Sequence, residues 1–167
     1  MNLSDLIQKL DLKPHPEGGY YRETYRSSGS IPAEVFGGSG MGERNYATGI
    51  YFLLTQGNFS AFHRVRQDEM WHFYLGAPIE LYEITARGEL KHTLIGNNLS
   101  EEERPQYLVP GGHWFASRVL PGAGDYALAG CTVSPGFDFA DFEMAERQEL
   151  LRQYPDFHEV IIEFTRN

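Results

Sequence analysis

Residues 57–76 read GNFSAFHRVRQDEMWHFYLG. Phe59, Ala61, His63 and Val65 share one parity, so a regular strand presents them on a single, mostly apolar face. Gln67-Asp68 supplies a turn, and Glu69, Trp71 and Phe73 share a face on the returning strand. A hairpin of this form brings His63 and Glu69 together between aromatic side chains. A lone imidazole on an apolar face is either buried and satisfied or set into the wall of a pocket.

The rest of the composition fits an all-β core carrying peripheral helices. At 167 residues the chain suits one domain, with enough length to bury a sizeable core. The 18 glycines imply many turns, and 10 tyrosines with 11 phenylalanines favour strands. A net charge of −9 argues against nucleic acid or an anionic membrane as partner, since both want a basic face. Cys131 is the single cysteine, which excludes an intrachain disulfide and suits a reducing compartment. The longest strongly apolar stretch, Ile50 to Leu54, is too short for a bilayer, and the first residues lack a signal-peptide pattern. The expected location is therefore cytoplasmic.

Outward from the hairpin, Leu3, Leu6, Ile7 and Leu10 form one apolar stripe and predict a helix over about residues 2–11, with Asn2 or Ser4 as cap. Tyr20 to Ser27 alternates aromatic and charged residues, polar on both faces, as a pocket wall or subunit contact would be. Gly37 to Gly42 is a glycine-rich connection without the Lys-Ser/Thr of a phosphate loop. Strands are expected over 45–55, 79–85, 90–95, 106–109, 113–119 and 126–133. Asp138 or Asp141 caps a predicted helix around 142–153, and Phe157 to Phe164 fits a helix as well as a strand. Eight or more short strands bracketed by helices fit a jelly roll.

Two spacings carry a resemblance. Gly57, five residues, His63, Val65, Glu69, six residues and Gly76 is similar to the first cupin motif, with valine at its second histidine position. Pro110-Gly111-Gly112 matches the centre of the second motif, whose histidine and asparagine positions are Phe115 and Val119 here. More narrowly, four segments resemble the cupin branch known as a domain of unknown function: Pro14-His15-Pro16-Glu17-Gly18-Gly19-Tyr20-Tyr21-Arg22-Glu23, Phe62-His63-Arg64, Asp68-Glu69-Met70-Trp71-His72-Phe73, and Gly130-Cys131-Thr132-Val133-Ser134-Pro135-Gly136-Phe137. The resemblance implies a double-stranded β-helix, the cupin jelly-roll barrel, in a single domain over 1–167, and a homodimer. It implies no settled reaction.

In metal-binding cupins three histidines and a glutamate hold the ion. Carried over by position, only His63 and Glu69 remain, so the expected cofactor is none, with a divalent metal at those two residues as the minority reading. His113, two residues before the Phe115 position and on its face in a regular strand, is a substitute ligand of last resort, and His72 turns inward only at a bulge. Without a metal, His63 and Glu69 form an imidazole–carboxylate pair suited to proton transfer beside a carbonyl, His63 as base and Glu69 orienting it. The expected pocket wall is Tyr51, Phe59, Val65, Trp71, Phe73, Phe115 and Tyr126, with Tyr51, Tyr74 or Tyr126 as the phenol. Arg22 and Arg26 suit an anionic ligand or surface ion pairs. The function expected is a small-molecule-binding cupin, an isomerase or epimerase of a carbohydrate-like substrate. Its rivals are a non-catalytic metabolite binder and a metal-dependent oxygenase or lyase with a reduced ligand set.

Overall fold

The computed structural model describes residues 3–166. Its strands are β1 (Lys13–Pro14), β2 (Tyr20–Arg26), β3 (Ser30–Ile31), β4 (Arg44–Asn45), β5 (Thr48–Thr55), β6 (Phe59–Val65), β7 (Asp68–Gly76), β8 (Ile79–Ile84), β9 (Leu90–Ile95), β10 (Gln106–Val109), β11 (Trp114–Val119), β12 (Tyr126–Ser134) and β13 (Phe142–Met144). The helices are α1 (Leu3–Lys9), α2 (Arg147–Gln153) and α3 (His158–Glu163). One sheet runs β1-β2-β5-β12-β7-β10 and the facing sheet β13-β6-β11-β8-β9, with β3-β4 as a separate ribbon. All paired strands in the two large sheets are antiparallel, and the whole is a jelly roll.

Alternation explains the layers. Phe52 and Leu54 of β5, Ala127, Ala129 and Cys131 of β12, and Trp71 of β7 point inward and meet Ile79, Leu81, Phe115 and Val119 from the other sheet. β5 is apolar on both faces because its outer residues are covered too. Leu53 and Leu128 pack against Leu6, with Leu3, Ile7 and Leu10 around them, so the predicted stripe of α1 is its buried face. α2 and α3 cover the other sheet through Leu150, Ile161 and Phe164, packed on Phe62, Trp114 and Ala116. No helix among the described residues is long and apolar enough to cross a membrane.

Two helix boundaries differ from expectation. The N-terminal helix is α1, Leu3–Lys9. Residue 2 lies outside the described residues, and Asp11 adopts a left-handed φ of 52° that ends the helical path. Phe142–Met144, expected to open a helix over 142–153, is instead the edge strand β13, paired with Val65, Arg64 and His63 of β6. The edge of β6 offers these backbone groups sheet partners, and α2 starts only at Arg147. Asp141 is no helix cap: it is buried in a bidentate pair with Arg44, at 2.7 and 2.9 Å, while Asp138 caps the short turn Phe139–Asp141 through Ala140. Phe157 to Phe164 is mainly helical.

A β-bulge in β6 decides which side chains reach the interior. Phe115 pairs with His63 but Ser117 pairs with Ser60, so β6 carries one residue more than β11 over this span. His63 and Val65 therefore face inward, while Phe59 turns out against Phe164. The chain before β2 docks on this bulge: the Ala61 N–H donates to Glu17 O at 2.8 Å, and a Cβ on Gly18 would lie 2.0 Å from Phe59 O. Gly18 also has φ +115°, which L side chains rarely adopt.

Gly18→Ala is expected to lower unfolding stability by about 3 kcal/mol or more, adding backbone strain to overpacking. Gly37 also has a positive φ, but nothing lies within 4 Å of where a methyl group would sit. Gly37→Ala is therefore expected to cost only about 1 kcal/mol. Urea unfolding of the two variants beside the parent checks the difference.

Candidate functional site

A cavity of about 640 Å³ lies between the sheets, walled by β2, β5, β7 and β12 on one side and β6 and β13 on the other. His63, Val65, Glu69 and Trp71 line it, as do Ile50, Phe52 and Cys131. Five expected wall residues do not. Tyr51 and Tyr126 are on the outer face, packed with α1, because they have the opposite parity to Phe52 and Ala127. Phe59 is turned out by the β6 bulge. Phe73 and Phe115 face the apolar interior but do not line the cavity, Phe115 packing against His63, which does. Tyr74 sits at a second bulge, in β7, with its hydroxyl over Gly130 on the outer face. The phenol on the cavity wall is Tyr21.

The partner of His63 is Glu17. Glu17 Oε2 lies 2.9 Å from His63 Nε2 and 3.5 Å from His15 Nδ1. The other nitrogen of His63, Nδ1, is 2.8 Å from the Ala61 carbonyl oxygen. A carbonyl can only accept, so Nδ1 carries a proton, and a second proton on Nε2 makes the ring a cation facing the Glu17 carboxylate. The local chain explains the approach. His15 N–H donates to Gly19 O and Gly18 N–H to His15 O, both at 3.0 Å, and this tight turn aims Glu17 inward. Arg166 fixes the turn from outside, donating to the backbone oxygens of Glu17 and Phe59.

Charge and burial set the protonation states. Burial pushes His63 down, but the charge and hydrogen bond of Glu17 outweigh it, helped by Glu69 and the Ala61 carbonyl, so its pKa is raised. Burial pushes Glu17 up, but the charge and hydrogen bond of His63, with His15 and Ser60, together outweigh it and hold the carboxyl below its ordinary value. Glu69 lacks such a partner. Burial and then the negative charge of Glu17 push it up to about 7, against weaker opposing effects of His63, Cys131 and Trp71. Burial and the neighbouring carboxylates push the Cys131 thiol well up, which keeps it protonated.

Rings pack against both histidines. His63 stacks on Phe142 with centroids 5.3 Å apart and meets Phe115 at 4.1 Å. His15 contacts Tyr21 edge-on at 4.6 Å and stacks on Phe139 at 5.9 Å. His15 and Glu17 are site residues that motif spacing and strand parity miss. Pro14-His15-Pro16-Glu17-Gly18-Gly19 nevertheless carries a legible signal: two ionisable residues held between prolines and paired glycines. His72 faces outward with Thr132 and Gln106, and His113 pairs with Glu83 at 2.5 Å.

The cupin superfamily family known as DUF985 matches residues 4–145. The chain belongs to it. An uncharacterized protein of Saccharomyces cerevisiae is 33% identical over 159 residues, covering 90% of this chain and 79% of the yeast protein. A crystal structure of a Shewanella oneidensis protein superposes with a TM-score of 0.88 at 40% identity, covering 99% of this chain and 98% of that one. A hypothetical protein from Leishmania major gives 0.91 at 34%, covering both chains fully. Oxalate decarboxylase from Bacillus subtilis, at 13% identity and a TM-score of 0.55 over 90% of this chain and 36% of its own, shares the fold.

The residues do not fit a metal of the usual cupin kind. Two ligand positions are the apolar Val65 and Phe115, and His63 has both nitrogens engaged within the protein. No three His, Cys, Asp or Glu side chains among the described residues are grouped to hold an ion.

Glu69 has a raised pKa in the folded state, so its contribution to stability is complete below its ordinary value of 4.5 and is lost as pH rises through about 7. Glu69→Gln removes that loss. Its stability relative to the parent is expected to rise by about 3 kcal/mol between about pH 4 and about pH 8, since a tenfold change in proton affinity is worth about 1.4 kcal/mol. Urea unfolding across this range measures it.

Proposed function

We propose that this cupin is a metal-independent acid–base enzyme that moves a proton beside a carbonyl in a small organic substrate, as an isomerase or epimerase of carbohydrate-like molecules does. The observation that carries the reading is the gathering of Glu17, His63 and Glu69 at an aromatic-walled cavity of a size that suits a small ligand. Their roles differ from the simple pair read in the sequence. His63, with both nitrogens occupied, is an electrostatic anchor, and Glu17 orients it. Glu69 is the group that exchanges a proton, since a carboxyl near neutrality is populated in both forms.

In the ionised form, Glu69 takes a proton from the carbon next to the carbonyl. The C–H electron pair moves into the carbon skeleton and the carbonyl oxygen becomes an enolate oxygen, stabilised by the nearby His63 cation. Where the deprotonated carbon bears a hydroxyl, that hydroxyl's proton passes to the enolate oxygen, and return of the proton from Glu69 to the former carbonyl carbon leaves the carbonyl on the neighbouring carbon, which is isomerisation. Delivery to the original carbon from another donor, for which Tyr21 is the phenol on the wall, gives epimerisation. Binding without turnover is the rival reading, favoured by the complete internal pairing of His63.

Incubating keto-sugars and sugar nucleotides with the protein in D₂O, followed by proton NMR, tests the choice. Deuterium is expected to enter a carbon beside the carbonyl, with Glu69→Gln slowing exchange at least about 100-fold and Glu17→Gln about 10-fold or more. Exchange no faster than in protein-free solution, or equal in parent and Glu69→Gln, would reject the acid–base reading.

A further inference from the structure

The cavity holds a second histidine that the acid–base step does not use. His15 lies between β1 and β2 and lines the cavity, with only 7% of its side chain exposed. Four rings fix its plane. Tyr21, Phe52 and Phe142 meet it edge-on, at 4.6, 6.0 and 6.0 Å between centroids, and Phe139 stacks on it at 5.9 Å.

The two nitrogens of His15 have different surroundings. Nδ1 lies 3.3 Å from the Glu17 backbone nitrogen, whose N–H only donates, and 3.5 Å from Glu17 Oε2, which as a carboxylate oxygen only accepts. Nδ1 cannot serve both: the N–H needs it bare, the carboxylate needs it protonated. The N–H is nearer, and Oε2 is already taken by His63 at 2.9 Å. Burial, the largest influence, lowers the pKa of His15, and together with His63 it outweighs the Glu17 charge. The neutral ring therefore carries its single proton on Nε2. Among the described residues Nε2 has no hydrogen-bond partner, and unlike the indole nitrogen of Trp71 it is not sealed in the core, so this N–H opens on the cavity. His63 differs. Its Nδ1 is spent on the Ala61 carbonyl and its Nε2 on Glu17, so it acts on a ligand through its charge, whereas His15 has a proton to offer.

We infer that the Nε2–H of His15 is the carbonyl-oxygen site of the cavity, donating a hydrogen bond to the C=O of a ketone- or aldehyde-bearing ligand. Its part in turnover rests on the acid–base reading, and it names the group the substrate must present. As Glu69 takes the C–H proton, negative charge grows on that oxygen and strengthens the bond, while the donated proton stays on Nε2. A preset neutral donor held by four rings needs no reorganisation for this.

Nitrogen-15 NMR of the histidine rings at about pH 8, with the ring ketone 2-keto-myo-inositol and its carbonyl-free counterpart myo-inositol as probes, tests it. In the protein alone, His15 is expected as the neutral form protonated on Nε2. The ketone is expected to shift that Nε2 resonance and to bind about tenfold or more tighter than myo-inositol. His15→Phe keeps a ring without the donor and is expected to abolish the preference. His15→Gln restores an N–H and is expected to recover part of it, and circular dichroism verifies that both variants fold. In D₂O, His15→Phe is expected to slow proton exchange about 100-fold, with a smaller loss in His15→Gln. A His15 that is charged or protonated on Nδ1 at this pH overturns the inference. So does equal binding of the two probes, binding of neither, or a preference unchanged in His15→Phe. Ketone preference without proton exchange in the parent would reject only the acid–base reading. Exchange in the parent that is unchanged in His15→Phe would reject only the assignment of His15.

Discussion

The site depends on a buried ion pair. Glu17 and His63, both almost wholly removed from solvent, meet at 2.9 Å. Neither charge is stable alone in such surroundings, and removing one partner from a buried pair typically costs about 3–5 kcal/mol because the other is left unpaired. The pair also dictates its neighbours. By holding His63 as a cation it occupies the nitrogen a metal would need. By holding Glu17 as an anion it adds to burial, the larger cause, in pushing Glu69 up to about 7. Two carboxylates of like type thus differ: the His63 contact holds Glu17 below its ordinary value, while burial and then the Glu17 charge raise Glu69 to about 7.

The fold supplies this contact through two irregularities that fit each other. The bulge in β6 turns His63 inward and frees the Ala61 N–H, which the Glu17 carbonyl then accepts. The turn before β2 closes so tightly on β6 that Gly18 has no room for a side chain. Arg166, near the other end of the chain, ties the same two segments by donating to Glu17 and Phe59. Chain segments far apart in sequence therefore converge on one carboxylate. The aromatic wall from Phe137 to Phe142 is positioned in turn by β13, which pairs along the edge of β6 directly beside His63.

Much of the fold is legible in the sequence because strand parity and turn residues are local signals. The apolar alternation of β5, β7 and β12 and the stripe of α1 are written in neighbouring residues. The inward placing of His63, Val65, Glu69 and Trp71 follows from the same parity. Phe59 is misplaced by parity because a bulge, which no side-chain pattern announces, reverses it within one strand. Tyr51 and Tyr126 are misplaced because a strand covered on both faces is apolar on both, and alternation alone does not say which face holds the cavity. Glu17 escapes notice as the partner of His63 because that contact spans 46 residues and depends on a turn whose direction only the docked structure reveals. Phe142–Met144 looks helical beside the true helix that follows, and edge pairing with β6 overrides that local preference.

The most direct test of the central contact is a pH titration of the His63 ring nitrogens by ¹⁵N NMR, in the parent and in Glu17→Gln. The ion pair predicts that His63 titrates above the ordinary histidine value of 6.5 in the parent, and that removing the Glu17 charge brings it below that value, where burial prevails. A His63 that titrates at or below 6.5 in the parent, or that does not move in Glu17→Gln, would contradict the pair on which the account of this site is built.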